Sequence, residues 1–337
     1  MKKFRLIDLY LIFLAVFGTI GVGLRSYALL VSFNSVTMHY DKKVVITIAS
    51  TLVAICALAF LCYMFFGQKR ENLIVRTDNV ASYIPAGLVC IALAFMSGEM
   101  FAVKPQAVGA SVDYVYAVSK ITAVLAILSI IAFFLSIIIQ RNDNLYKAAF
   151  SLCIVFFLAF YAIYLFFNKE VHPTNSPNKI TDQMAYLFAA VFFLYESRIF
   201  LGRARWRAYV AFGLVATLLS AFSAIPSLIN YAVNRYIVSD SLIESILTLA
   251  FGLYIGSKVL QFKHLPTNAE CKEAKSITTL AALREEEMEE QRRIAHEHNN
   301  IINKEENEVA EDASNYTFDI PVQEVTTDFN FDEENQA

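Results

Sequence analysis

The sequence lacks the motifs by which soluble enzymes are commonly recognised. It contains no G-x-x-x-x-G-K-[ST] phosphate-binding loop, no H-E-x-x-H zinc motif and no G-x-S-x-G nucleophile motif. It also lacks a basic domain of the kind that binds nucleic acid. The residues therefore predict no cofactor, no metal and no nucleic-acid partner, and they favour a non-enzymatic protein.

Cysteine is scarce, and its positions exclude a disulfide framework. Four of the five cysteines lie inside apolar runs and the fifth, Cys271, lies in the polar C-terminal part. None falls in a predicted external loop, where an oxidising environment would favour pairing. We expect the four cysteines in apolar runs to pack as small hydrophobic side chains.

Charge is scarce as well, at 18% of residues against 57% hydrophobic residues and a mean hydropathy of +0.48. The apolar residues form eight runs, each about the ~20 residues that a helix needs to cross a bilayer. In lipid such a run must satisfy its own backbone, so helix is the expected state. We predict an all-α polytopic membrane bundle with eight transmembrane helices, at about 7–24, 44–67, 81–103, 114–139, 148–167, 184–202, 208–233 and 242–262.

Residues 264–337 differ from the rest of the chain. They hold 6 Lys and Arg against 19 Asp and Glu, a net charge of −13, whereas residues 1–263 hold 22 against 12, a net charge of +10. We predict a transmembrane domain over 1–263 and an acidic cytoplasmic tail over 264–337, helical over 269–308 and disordered over 309–337. The segment 316–325, with aromatic and β-branched residues between acids, is a candidate docking peptide for a cytoplasmic protein. The alternative is plain disorder with chance aromatic residues.

The distribution of Lys and Arg predicts the orientation. With the N-terminus inside, the internal segments hold eleven basic residues and the external ones six, or seven with Arg25. Because cytoplasmic loops carry the excess of basic residues, we expect both termini in the cytoplasm. The expected location is the plasma membrane of a bacterium, with the lipid bilayer as the first partner.

Ionisable residues inside apolar runs are costly, so each is a candidate for function. An outer layer, Arg25, Glu99, Lys120 and Glu244, is the candidate intramembrane polar site. Within it Glu99 and Lys120 are expected at similar depth, as a binding pair or as a salt bridge that joins two helices. An inner layer, Asp8, Glu196, Arg198 and Lys258, is interpreted as an interfacial collar, with Glu196 facing Lys258 or a basic residue of an internal loop, and Arg198 facing lipid phosphate.

Small residues recur at four-residue spacing on two predicted helices. They are Ala86, Cys90, Ala94 and Gly98 on the third helix, and Gly252 and Gly256 on the eighth. Such stripes let helix backbones approach closely, which predicts packing within the bundle or, as the alternative, a homodimer. Residues 83–97 and 209–223 share six identities in fifteen positions, which leaves open a tandem repeat of two four-helix halves.

His296 and His298 do not form a metal motif. Histidines two positions apart point in nearly opposite directions on a helix and cannot share one ion. The sequence thus leaves three hypotheses for function. The first is a non-enzymatic sensor or membrane-complex component with a regulatory tail, the second a secondary transporter or permease subunit for a small solute, and the third an intramembrane enzyme. A closed polar cavity that reaches the midplane would favour the second over the first.

Overall fold

The computed structural model describes residues 6–34, 37, 39–67, 80–105, 113–138, 145–168, 176–201, 203, 205–235, 238, 241–262 and 288–297. The chain divides into two compact units, Met1–Ala269 and Glu270–Ala337. In the second unit the described residues form one helix over 288–297, and all of its side chains are exposed. The predicted docking segment 316–325, the predicted disordered segment and most of the predicted tail helix lie outside the described residues.

The first unit contains eight long helices and one short β-hairpin in its described part. The elements are α1 (Leu6–Ser32), β1 (Phe33–Asn34), β2 (His39–Tyr40), α2 (Lys43–Phe66), α3 (Val80–Ala102), α4 (Tyr114–Ile138), α5 (Leu145–Phe167), α6 (Pro177–Phe200), α7 (Trp206–Asn234) and α8 (Leu242–Phe262). Among the described residues, seven of these helices, all except α6, are long and apolar enough to cross a membrane. The prediction of an all-helical bundle with membrane-spanning helices is thereby confirmed for these seven helices.

The outer surface of the bundle is apolar. Large side chains such as Val44, Phe65 and Ile84 are 69%, 76% and 73% exposed. In water that much exposed apolar surface would be costly, whereas against lipid tails it costs nothing. These helices are therefore suited to a lipid environment.

Six helices form a ring. Each of α3 to α8 packs against the next, and α8 packs back against α3. Outside this ring α1 and α2 pack against each other and against α7. α7 thus contacts α1, α2, α6 and α8. These contacts explain why 78% of an 18-residue apolar stretch of α7 is buried, against 17% of the corresponding stretch of α1. The two segments of the suggested repeat lie on α3 and α7, whose neighbouring helices differ.

The helix α6 begins at Pro177, whereas hydropathy alone placed its start at Met184. Its first turns carry Asn178, Lys179 and Asp182, and all three are buried. The Lys179 ammonium donates to the main-chain carbonyl of Asn168 at the end of α5. A helix that its neighbours shield from lipid can carry polar residues, since other protein groups satisfy them.

α1 also extends past the predicted boundary, from Leu24 to Ser32, because Arg25 faces the protein and not the solvent. The hairpin that follows pairs Phe33 with Tyr40 and Asn34 with His39. Its Tyr40 packs in a small apolar cluster with Ala28, Leu29, Ile46 and Val238. The hairpin, which the sequence did not predict, thereby joins α1 to the start of α2.

Two glycines allow a close approach of α7 and α8. A Cβ atom on Gly252 would lie 2.7 Å from Ser220 Cβ, and one on Gly256 would lie 3.2 Å from Thr217 Cγ2. α7 therefore occupies the face of α8 that was also considered for a homodimer. On α3, Ala86 is buried and Cys90 half-buried, whereas Ala94 and Gly98 are exposed.

We expect Gly252→Ala to lower the free energy of unfolding by about 1–3 kcal/mol, because the added methyl overlaps Ser220 Cβ, which is fixed to the backbone and cannot rotate away. Gly256→Ala should cost less, since a threonine methyl can adjust. The measurement is thermal unfolding of the purified protein in detergent. Gly98→Ala is the control, because a Cβ there meets nothing within 4 Å. Equal losses for Gly252→Ala and Gly98→Ala would contradict the packing.

Candidate functional site

A buried arginine joins α1 to α6 and α7. Arg25 is 1% exposed, and its Nη1 donates to the main-chain carbonyl of Phe222 at 2.9 Å. Its Nη2 donates to Asn178 Oδ1 at 3.1 Å, and its guanidinium carbon lies 4.8 Å from the centre of the Phe222 ring. The charge is thus held by hydrogen bonds and by an aromatic face.

The carbonyl that Arg25 binds is free because of a proline. In an α-helix the N–H of residue 226 would donate to the carbonyl of residue 222, but Pro226 has no N–H. The Phe222 carbonyl would be left without a donor in a buried place, which is costly. The guanidinium of Arg25 replaces the missing donor, so the break in α7 and the charge on α1 stabilise each other.

Further polar groups surround Arg25. Asn178 Oδ1 also accepts from the Tyr40 hydroxyl at 2.7 Å. Asp182 Oδ1 accepts a hydrogen bond from Ser223 Oγ, and Asp182 interacts electrostatically with Arg25. Burial raises the pKa of the Tyr40 phenol, although the positive charge of Arg25 and the bond to Asn178 act in the opposite direction. We call Arg25, Tyr40, Asn178, Asp182 and Ser223 the outer cluster.

The other members of the predicted outer layer lie on α3, α4 and α8. Ser241 Oγ donates to Glu99 Oε2 at 2.8 Å and accepts from the backbone N–H of Glu244 at 3.0 Å. One hydroxyl therefore brings Glu99 and the start of α8 together. The Glu244 side chain is buried, and the main-chain carbonyl of Glu244 accepts from the Tyr186 hydroxyl at 3.4 Å.

Lys120 caps the end of the preceding helix. Its Nζ donates to the carbonyls of Phe101 at 2.6 Å, Val103 at 2.9 Å and Met100 at 3.4 Å, and it lies 4.7 Å from the centre of the Tyr116 ring. The last carbonyls of a helix have no partner within it and carry the negative end of the helix dipole. The structure thus gives Lys120 the role of a cap on α3, and gives Glu99 a bond to Ser241.

A second set of polar groups lies toward the opposite end of the ring. Lys147 and Ser151 of α5, Glu196 of α6, and Tyr254 and Lys258 of α8 are all buried, and we call them the inner cluster. The Tyr254 hydroxyl donates to Glu196 Oε1 at 3.4 Å. Lys258 Nζ lies 5.5 Å from the Tyr254 ring centre, and Lys147 Nζ lies 4.6 Å from that of Phe200.

A small cavity adjoins the inner cluster. It has a volume of about 10 Å³, and Lys147, Ser151, Glu196 and Tyr254 line it together with apolar residues of α4, α5 and α6. That volume holds about one water molecule. The cavity is suited to hydrating the buried charges and not to binding an organic solute.

The remaining members of the predicted inner layer lie outside the cavity. Asp8 is half-buried in the first turn of α1. Arg198 is half-buried, with its guanidinium carbon 5.9 Å from the centre of the Tyr195 ring. Glu196 and Arg198 therefore face different surroundings, as neighbours two positions apart on a helix do.

Aromatic rings separate the two ends of the ring of helices. Phe133 of α4 lies 5.9 Å from Phe193 of α6 and 6.2 Å from Phe251 of α8, measured between ring centres. Phe157 of α5 completes the set at 6.4 Å from Phe251, and we call these four residues the aromatic layer. Along α8 the order is Glu244, Thr248, Phe251, Tyr254 and Lys258. Polar groups therefore lie on each side of Phe251.

Sequence reasoning missed Tyr40, Asn178, Asp182 and Ser241. Asn178 and Asp182 precede the apolar run at 184–202, so hydropathy predicts them outside the helix. Their four-residue spacing, which places both on one face of a helix, was the one available signal. Nothing in the sequence indicated that Ser241 would join Glu99 to α8, because that contact depends on the packing of α3 against α8.

We expect Arg25→Met to lower the free energy of unfolding by about 3–5 kcal/mol, because it strands the groups that the guanidinium satisfies. In a Pro226→Ala background the same substitution should cost about 1 kcal/mol less, since the alanine supplies the backbone N–H that the Phe222 carbonyl lacks. Chemical or thermal unfolding of the wild type, the two single variants and the double variant in detergent measures this difference. Pro85→Ala, in α3, is the matched background in which the full cost should persist. An equal cost in both proline backgrounds would show that the carbonyl does not depend on Arg25.

No family model matches the chain, and no curated protein or solved structure shows a match to it.

Proposed function

We propose that this multi-pass membrane protein is a non-enzymatic membrane component, a sensor or an assembly partner, and not a path for solutes. The observation that carries the proposal is the aromatic layer. Phe133, Phe157, Phe193 and Phe251 are buried and pack together inside the ring, between Glu244 and Lys258 along α8, and the cavity beside the inner cluster has room for about one water molecule.

The bonding of the buried charges supports the same proposal. Lys120 and Lys179 donate to carbonyls at the ends of α3 and α5, and Arg25 donates to the free carbonyl of α7. Groups used in this way stabilise the backbone. Such a bundle is suited to serve as a membrane platform for a partner.

The proposal includes eight membrane crossings, with α6 as the eighth. With 24 residues, α6 is ~36 Å long, enough to cross a hydrocarbon core of ~30 Å. Lys179, at its start, reaches the end of α5, and Glu196, near its end, lines a cavity with Lys147 of the first turn of α5. The two ends of α6 therefore lie at the same depths as the two ends of α5, which is long and apolar enough to cross a membrane. With eight crossings and the excess of basic residues in alternate loops, both termini lie in the cytoplasm.

Cysteine accessibility tests the crossing of α6. The background has all five native cysteines replaced, and Asn175→Cys, Arg203→Cys and Arg235→Cys are introduced singly. A membrane-impermeant thiol reagent on intact cells should label Asn175→Cys and Arg235→Cys, and should label Arg203→Cys only in inverted vesicles. Labelling of Asn175→Cys and Arg203→Cys from the same side would refute the crossing.

The second candidate is a carrier, because buried polar groups on both sides of an aromatic barrier, Glu244 and Thr248 on one side and Lys258 on the other, also fit a closed transporter. A carrier must open that barrier from one side at a time. We expect Phe193→Cys and Phe251→Cys, in the cysteine-free background, to stay unlabelled from either side while Arg203→Cys is fully labelled from the inner side. One-sided labelling of either position, above all labelling that an added solute changes, would favour the carrier.

We assign partner binding to the acidic tail. Residues 264–337 carry a net charge of −13, and the segment 316–325 has the aromatic and β-branched residues of a docking peptide. In this proposal the tail recruits a cytoplasmic protein to a bundle in the plasma membrane of a bacterium. A homodimer of the bundle is the alternative partner.

A further inference from the structure

The turn between α6 and α7 differs in charge from the other connections of the bundle. It holds Arg203 and Arg205 and contains no Asp or Glu, whereas each of the other six connections between consecutive long helices contains at least one. Arg198 precedes the turn and Arg207 follows it, which gives four arginines within ten residues. No acid in the same segment of the sequence balances this positive charge.

The bundle does not use the charged groups of this turn for its own bonding. Among the described residues, the guanidinium groups of Arg198, Arg203 and Arg205 make no hydrogen bond or ion pair. Arg203 and Arg205 are exposed, and Arg198 is half-buried with its guanidinium beside the Tyr195 ring. The main-chain N–H of Arg203 donates to the Arg198 carbonyl at 2.9 Å, so the backbones of these two residues are adjacent. These guanidinium donors are available to an acceptor outside the protein.

An apolar surface adjoins the same turn. Arg207 Nη1 lies 3.3 Å from the Phe65 carbonyl, so the end of α2 lies beside the start of α7. The side chains of Phe65 and Phe66 on α2 are 76% and 73% exposed, and Leu201, just before the turn, is 48% exposed. In a membrane protein such side chains contact lipid tails. The arginines therefore lie at the level where the tails meet the headgroups.

We propose that the α6–α7 turn binds the headgroups of anionic phospholipids through Arg198, Arg203 and Arg205. All the basic residues of the turn and its flanks are arginines, whose planar guanidinium can donate to two oxygens of one phosphate. A basic residue near an anionic membrane surface strengthens the attraction about fivefold. A zwitterionic headgroup attracts less, because its own cation opposes its phosphate. The surface does not depend on the role proposed for the tail, and a failure of either leaves the other standing.

Trp206 reports on this turn, because it is the single tryptophan of the chain and the first residue of α7. The test is quenching of its fluorescence in the full-length protein, in mixed micelles that contain phosphatidylglycerol or phosphatidylcholine with a spin-labelled acyl chain at equal mole fraction. In the wild type, phosphatidylglycerol should quench at the lower mole fraction. Arg203→Gln and Arg205→Gln should each lower the relative affinity for phosphatidylglycerol about fivefold, and the double variant should lose most of the preference. Quenching by phosphatidylcholine should not change, since neither side chain bonds to the described protein.

Arg235→Gln is the matched control, because Arg235 is an exposed arginine at the opposite end of the same helix. It should keep the full preference, and an equal loss there would overturn the proposal by showing attraction to the total charge. Equal wild-type quenching by the two lipids, or an undiminished preference in the double variant, would also overturn it. Displacement of the labelled phosphatidylglycerol by inorganic phosphate or by polyglutamate, but not by sodium chloride of equal ionic strength, would assign the surface to a soluble phosphate or to an acidic protein instead.

Discussion

The bundle depends on donors for main-chain carbonyls that have no partner within their own helix. Where water is excluded, each such carbonyl is expensive to leave unpaired. The chain meets this constraint with cationic side chains from neighbouring helices. Lys120 caps α3 and Lys179 caps α5, while Arg25 donates at the proline break of α7. Arg207 Nη1 also lies 3.3 Å from the Phe65 carbonyl at the end of α2. Each of these bonds also fixes the depth of one helix relative to another.

The same constraint explains the composition of α6. Its ends contribute Asn178 and Asp182 to the outer cluster and Glu196 to the inner one. The helix lies between α5 and α7 and also contacts α8, so protein and not lipid surrounds its polar face. The least apolar of the eight long helices is therefore the one with polar partners at both ends. α6 combines buried polar contacts with low hydropathy because protein groups, and not lipid, surround its polar face.

Much of the helical architecture was predictable from sequence, because a long apolar run in lipid has one way to satisfy its backbone. The boundaries at Arg25 and Met184 were the difficult ones. In both places hydropathy predicts that a helix ends at a charged or polar residue, although the partner of that residue lies on a helix distant in sequence. The sequence also could not predict the partners of Lys120, since hydropathy does not show which carbonyls at a helix end lack a donor. Contacts of this kind depend on tertiary packing, which a periodic pattern does not contain.

The bond between Arg25 and Phe222 joins positions 197 residues apart, and this separation affects how the protein is made. A ribosome delivers the chain from its N-terminus, so α1 emerges long before the carbonyl that its guanidinium requires. During that interval the arginine must stay hydrated or be held by the insertion machinery. α1 can therefore make its final contact with α7 only after α7 has been synthesised.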